Sequence, residues 1–127
     1  MRLVRQWNEI DCGIATAAMV AGTSWTKACQ ADPNNESHDG LTVNEFIATC
    51  SVLGSPVVAT RSGQGDPFRT AKTPRDCCAA LIRKAGKHRG HFIAIDGPDV
   101  LDPELGRLKH SKYRRGNWLV VRWFTRA

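Results

Sequence analysis

Long apolar runs are missing from this 127-residue chain. No stretch approaches the roughly 18 apolar residues that cross a bilayer, and the opening MRLVRQWNE carries no apolar segment of signal-peptide length. Neither a membrane span nor export by that route is therefore expected. Cysteine occurs at positions 12, 29, 50, 77 and 78 but never with C-x-x-C spacing. An odd count that includes an adjacent pair argues against a disulfide framework and for reduced thiols and synthesis in the cytoplasm. The scattered cysteines and histidines also lack zinc-ligand spacing, so no metal is expected, and no other cofactor motif is present. Basic residues are scarce in one half only. Residues 1–60 carry three basic and six acidic side chains, whereas residues 61–127 carry fifteen and six. Such asymmetry belongs either to a solvated surface or to an anionic partner: nucleic acid, cell-wall polymer or an acidic protein face. No nucleic-acid-binding motif accompanies the charge, which disfavours that class. Repeats and internal boundaries are absent as well, so residues 1–127 read as one domain, long enough for a real core.

What the chain does contain centres on Gln6–Met19, QWNEIDCGIATAAM. Ile14, Ala17, Ala18 and Val20 recur at helical spacing, and Gly22 is a natural stop. Asp11 is expected to cap this helix, because a carboxylate there accepts the orphan amides of the first turn. Cys12 then lies in the first turn, where the helix dipole favours a thiolate, the nucleophilic form of cysteine. Gln6 is close enough in sequence to return a side-chain amide to a developing oxyanion. Taken alone, such a cysteine is as readily a small core residue, so the reading needs a histidine and a third group.

Downstream, Thr23-Ser24 can cap a short helix over Trp25–Ala31, and residues 32–40 form a polar loop by composition. Thr42-Val-Asn-Glu45 is a capping box opening a helix to about Leu53, with Phe46, Ile47, Cys50 and Leu53 inward. Val57–Thr60 reads as a strand and Ser62–Thr70 as loop. Thr73-Pro74 is then expected to start another helix to about Ala85, with Cys77, Ala80, Leu81 and Ala85 inward. Cys77–Cys78 near that start is a rival thiolate position without active-site context. The remainder reads as antiparallel sheet: His91–Asp96, a Gly97-Pro98 turn, Val100–Asp102 and Asn117–Phe124. Helices first and strands later predict an α+β fold.

Centring the hairpin on Gly97-Pro98 pairs Asp96 with Asp99, Ile95 with Val100 and Ile93 with Asp102. His91, Ile93 and Ile95 then share one face, with Asp102 diagonal to His91. A cysteine nucleophile needs such a histidine to take and return its proton, and a carboxylate to fix the ring. Asp96 and Asp99 compete with Asp102 by proximity, but both sit at the tip, where turn-forming aspartates are expected. His38, His88 and His110 are expected to be solvated. Trp118, Trp123 and Phe124 are read as core.

In this order the residues resemble a papain-like cysteine peptidase of the bacteriocin-processing (double-glycine leader) family. Gln6, Asp11-Cys12-Gly13 and the run ATAAM match its first motif, and His91-Phe92-Ile93 with Asp102-Pro103-Glu104-Leu105-Gly106 match its second. The resemblance spans about residues 6–106. It implies a papain-like α+β fold with the cysteine helix packed on a small antiparallel sheet. It also implies Cys12 as nucleophile, His91 as general base and acid, Asp102 as the residue orienting His91, and Gln6 as oxyanion donor beside the Cys12 amide. The transporter fused to leader-processing members is absent from these 127 residues, so that substrate is not carried over.

The function expected is that of a stand-alone cysteine peptidase, hydrolysing a peptide or isopeptide bond in a peptide or protein, after small residues such as glycine. One alternative is a cell-wall peptide hydrolase carried by a phage or similar element, hence located in a phage particle. Wall peptidases of the NlpC type use the same cysteine–histidine logic, but their usual serine after the cysteine is Gly13 here. A non-catalytic binding or assembly module would be expected to have lost Cys12 or His91. A scaffold- or nucleic-acid-binding protein using Arg83–Arg89 and Lys109–Arg115 would bind with a steep salt dependence. The sequence assigns no oligomeric state.

Overall fold

The computed structural model describes residues 1–33 and 40–127. His38 and most of the polar loop expected over residues 32–40 lie outside the described residues. Among the described residues three α-helices, α1 (Cys12–Ala21), α2 (Trp25–Ala31) and α3 (Val43–Val52), come first. Six strands follow: β1 (Val57–Thr60), β2 (Cys77–Arg83), β3 (Gly90–Asp96), β4 (Asp99–Asp102), β5 (Gly106–Lys109) and β6 (Leu119–Arg126). They form one antiparallel sheet in the order β1-β6-β2-β3-β4-β5. The fold is α+β, as the order of the elements in sequence implies. Among the described residues no helix is long and apolar enough to cross a membrane.

Local signals account for the helix ends. Gly22 closes α1 in the left-handed conformation at φ 68°, with its own N–H on Met19 O and the Thr23 N–H on Ala18 O. Ser24 caps α2 by accepting from Lys27 N. Thr42 and Glu45 form the complete capping box of α3, satisfying two orphan amides reciprocally. α1 is not amphipathic in its surroundings: every residue from Cys12 to Val20 is buried. Its small side chains let α2, α3 and β3 pack around it. Gly13 makes room for Leu41, which a Cβ at that position would meet at 3.0 Å.

The sheet is buried on both faces. On the helix side, Phe46 of α3 lies 4.7 Å from both Phe92 and Phe124, ring centre to centre, above Cys50, Val57 and Cys78. On the other side, Ile82, Ile93, Ile95, Val120 and Trp123 are covered by Phe68 and Ala71 from the long loop and by Tyr113. Trp123 and Phe124 are thus core, as expected, while Trp118 is half-buried.

Three expectations are corrected. Residues 77–83, expected within a helix over Thr73–Ala85, form the central strand β2, paired with β3 on one side and β6 on the other. Alanine, leucine and arginine carry helix propensity, but long-range pairing on both edges overrides it. Asp76 also stands at φ 60°, which no first helical turn tolerates. The sheet has six strands because β2 and the charged edge strand β5, GRLK, join those expected. The Asp11 side chain does not cap α1. It accepts instead from the backbone N–H groups of Trp7 (2.8 Å) and Asn8 (3.0 Å) and from the indole of Trp25 (2.7 Å).

Candidate active site

Cys12 stands at the first position of α1, 7 % exposed, where the helix meets the start of β3. The Phe92 backbone N–H donates to its Sγ at 3.4 Å. Upstream, the chain from Trp7 to Asp11 is folded around the Asp11 carboxylate, and Trp7 stacks on Trp25 with ring centres 4.1 Å apart. The carboxylate beside the cysteine therefore fixes the loop that leads into it.

His91 arrives from β3. The hairpin has the expected register, with Asp96 opposite Asp99, Ile95 opposite Val100 and Ala94 opposite Leu101. That register brings Asp102, fully buried, to His91, with Nε2 2.9 Å from Asp102 Oδ1. That leaves Nδ1 as the ring nitrogen not engaged with Asp102. The competing aspartates are occupied elsewhere. Asp96 holds the N-terminal amine at 3.0 Å, and Asp99 holds Arg107 at 2.8 Å and Lys109 at 2.9 Å.

Asp102 is held on all sides. The N–H groups of Glu104 (2.8 Å) and Leu105 (3.1 Å) donate to Oδ1, closing an Asx-type turn over Asp102–Leu105. The Tyr113 hydroxyl (2.5 Å) and Arg115 Nη1 (2.9 Å) donate to Oδ2. Burial raises a carboxyl pKa, but here the hydrogen bond and charge of His91, with Tyr113 and the Glu104 amide, outweigh it and hold Asp102 well below the usual carboxylate range. Burial likewise lowers an imidazole, yet hydrogen bonding to Asp102 and Cys12, with the charges of both, raises His91 from 6.5 to about 9. Tyr113 is driven far above its ordinary value by burial and by the Asp102 charge, so it acts only as a hydrogen-bond donor.

Gln6 is placed near this cluster but turned within its own loop. Its backbone N–H donates to Pro103 O at 3.1 Å, which ties residue 6 to the turn after Asp102. Its side-chain amide donates to Asn8 O at 2.7 Å, and Oε1 is buried without a partner. Sequence reading missed Tyr113 and Arg115; the run KHSKYRRG carries only a charge signal, and their contacts arise from tertiary packing alone.

The rival thiols are set apart. Burial pushes Cys77 and Cys50 up to about 12 and also raises Cys78, all of them in β2 or α3. His88 is exposed, as expected. His110 is not solvated as expected: it is half-buried against Phe68, ring centres 4.6 Å apart, and burial lowers its pKa. Among the described residues no group of three His, Cys, Asp or Glu side chains is placed to hold a metal ion.

A cleft of about 260 Å³ opens beside Cys12. Leu41, Val43, Leu81 and Phe92 form its apolar wall, Gly40 and Gly90 bring backbone to its surface, and Glu9, His88 and Arg89 supply charge or polarity.

The chain is similar over nearly its whole length to two proteins of known structure. One is a double-glycine-motif protease from an AMS/PCAT transporter, solved in complex with the leader peptide, with a TM-score of 0.64 and 15% identity over 98% of this chain and 89% of that one. The other is the peptidase domain of Streptococcus mutans ComA, with a TM-score of 0.59 and 16% identity over 100% and 99%. The fold is that of the double-glycine peptidase domains. No protein-family model and no curated protein matches the sequence. The double-glycine peptidase fold thus agrees with the fold that the ordered motifs around Cys12 and His91 imply.

Proposed function

We propose that residues 1–127 form one peptidase domain that cleaves a peptide or isopeptide bond through an acyl-enzyme on Cys12. In this reading Cys12 and His91 work as a thiolate–imidazolium pair, and Asp102 fixes the ring of His91. What supports it most is the His91–Asp102 hydrogen bond of 2.9 Å, made between β3 and the end of β4, beside an α1 that packs on β3 and opens with Cys12 on a cleft. Structural aspartate–histidine pairs are common, but they do not also meet a cysteine at a helix start.

The chemistry follows from the positions. Sγ of Cys12 attacks the carbonyl carbon of the scissile bond, and the carbonyl oxygen becomes an oxyanion received by the Cys12 backbone N–H and the Gln6 amide. For Gln6 this requires its side chain to leave Asn8 O when substrate arrives. As the C–N bond breaks, His91 gives its proton to the departing amine, leaving a thioester on Cys12. His91 then takes a proton from water, whose oxygen attacks the thioester; acid is released and the pair restored. The AMS/PCAT neighbour was solved in complex with the leader peptide, which supports a peptide as the substrate here. Gly40 and Gly90 bring backbone to the surface of the cleft, where an adjoining peptide could pair with it. A Cβ at position 90 would lie 2.6 Å from Leu81 Cδ1, so the wall there is already tight.

The test is digestion of a mixed peptide library by the full chain, with new termini identified by mass spectrometry. Cleavage enriched after small residues and abolished by Cys12→Ala supports the proposal. Cleavage that persists in Cys12→Ala, or a library left intact by wild type at high enzyme concentration, would overturn it.

A further inference from the structure

Arg115 takes no part in the steps above, yet its guanidinium touches the group that orients His91. Nη1 lies 2.9 Å from Asp102 Oδ2 and 3.0 Å from His91 Nε2. Nη2 donates to Glu104 Oε1 at 2.6 Å. The guanidinium carbon sits 4.8 Å from the ring centre of Trp118, and Trp118 meets His91 edge-on at 6.3 Å. A surface arginine making one ion pair would be unremarkable on this basic chain. This one is only 16 % exposed at its side chain and is held at three points. A planar fork with fixed donors suits such a position, whereas a lysine does not.

The donor count decides what the arginine does. His91 Nε2 must carry a hydrogen to donate to Asp102 Oδ1, and Arg115 Nη1 is also a donor. Their 3.0 Å approach is therefore not a hydrogen bond between them. Two N–H groups converge on the two oxygens of one carboxylate. Arg115 and Tyr113 occupy Oδ2, which leaves Oδ1 as the oxygen for the ring. The arginine also sets a permanent positive charge beside the imidazole, and a like charge disfavours the protonated form. The groups facing His91 are Cys12 from α1, Asp102 at the end of β4, and Arg115 and Trp118 ahead of β6. Glu104 backs the arginine, and Tyr113 backs the aspartate. Without Arg115 two anions would hold the imidazolium with nothing opposed to them, and proton release to a leaving amine would be harder.

We propose that Arg115 is a positioning residue of the site: it aligns Asp102 on His91 Nε2 and offsets the two negative charges that His91 faces. The inference rests on the cysteine–histidine reading of the preceding subsection. It assigns a role to the basic run after β5 that needs neither nucleic acid nor an anionic wall.

The experiment follows the His91 ring signals by NMR across pH in the ¹⁵N-histidine-labelled full chain, with circular dichroism confirming the fold. Arg115→Met removes the charge and the fork but keeps an apolar stem on Trp118. Arg115→Gln removes the charge and keeps polarity, so it carries the test if the methionine variant does not fold. Arg115→Lys keeps the charge. Both neutral variants are expected to move the His91 titration upward by about one unit, and the lysine variant to stay near wild type in titration. A wild-type titration in a folded Arg115→Met or Arg115→Gln overturns the proposal. The underlying reading is checked separately, by iodoacetamide modification of Cys12 in wild type and His91→Ala. If those two differ while the neutral arginine variants match wild type, only the role of Arg115 fails.

Discussion

Replacing Asp102 by asparagine separates the charge of the carboxylate from its shape. The two backbone amides of Glu104 and Leu105 and the ring of His91 all donate to Oδ1, so the asparagine oxygen is held on that side. The new NH₂ then faces the Tyr113 hydroxyl and Arg115, which both lose their acceptor in a fully buried place. Removing one partner of a buried charge pair costs about 3–5 kcal/mol. In a chain of this size each kcal/mol moves Tm by roughly 3–5 °C, so Asp102→Asn is expected to melt roughly 10–20 °C lower. A second effect has its own signature. His91 stands at about 9 in the folded chain against 6.5 ordinarily. Because the folded value is the higher one, this stabilisation is fully present below pH 6.5 and is lost as pH rises through about 9. At about 1.4 kcal/mol per unit it amounts to roughly 3 kcal/mol. Wild-type Tm should thus fall between pH 6.5 and 9, and the asparagine variant, lacking the charge of Asp102, should show much less of that fall. Thermal unfolding by circular dichroism at several pH values measures both effects. Equal melting temperatures, or the same pH dependence in both proteins, would refute the reasoning.

Two further outcomes follow from the packing. Phe46→Ala removes the ring shared by Phe92 and Phe124 at the centre of the helix-side core, and should cost about 3–5 kcal/mol in chemical denaturation; a loss under 1 kcal/mol would contradict the described core. Trp25→Phe keeps the stacking surface for Trp7 but deletes the indole N–H that donates to Asp11. It should cost about 1–3 kcal/mol and speed amide exchange at Trp7 and Asn8, whereas unchanged exchange there would show that the loop is held otherwise.

How much could be read from the sequence depended on whether the deciding interactions were local. The capping box at Thr42–Glu45 and the stop at Gly22 act within one helical turn, and both helix ends fell where those residues require. The hairpin from His91 to Asp102 was legible for a related reason. A two-residue turn leaves few registers, and a slip by one would have put His91 and Asp102 on opposite faces. The segment Cys77–Arg83 failed because its identity is set by neighbours far along the chain: CCAALIR between β3 and β6 is a strand by pairing, not by propensity. Asp11 failed similarly, since its carboxylate serves Trp25 and the preceding loop rather than the helix it precedes. Tyr113 and Arg115 carry no pattern at all in sequence. They reach Asp102 only because the segment before β6 crosses the outer face of the sheet.

The central claim is that Cys12 is activated by His91, and the most direct measurement is iodoacetamide modification near neutral pH, with each modified cysteine located by mass spectrometry. In wild type, Cys12 should react well ahead of Cys29, Cys50, Cys77 and Cys78, and His91→Ala should slow it about tenfold or more. Cys12 reacting no faster than Cys29, with no change in His91→Ala, would contradict the account and leave the double-glycine peptidase fold here without its chemistry.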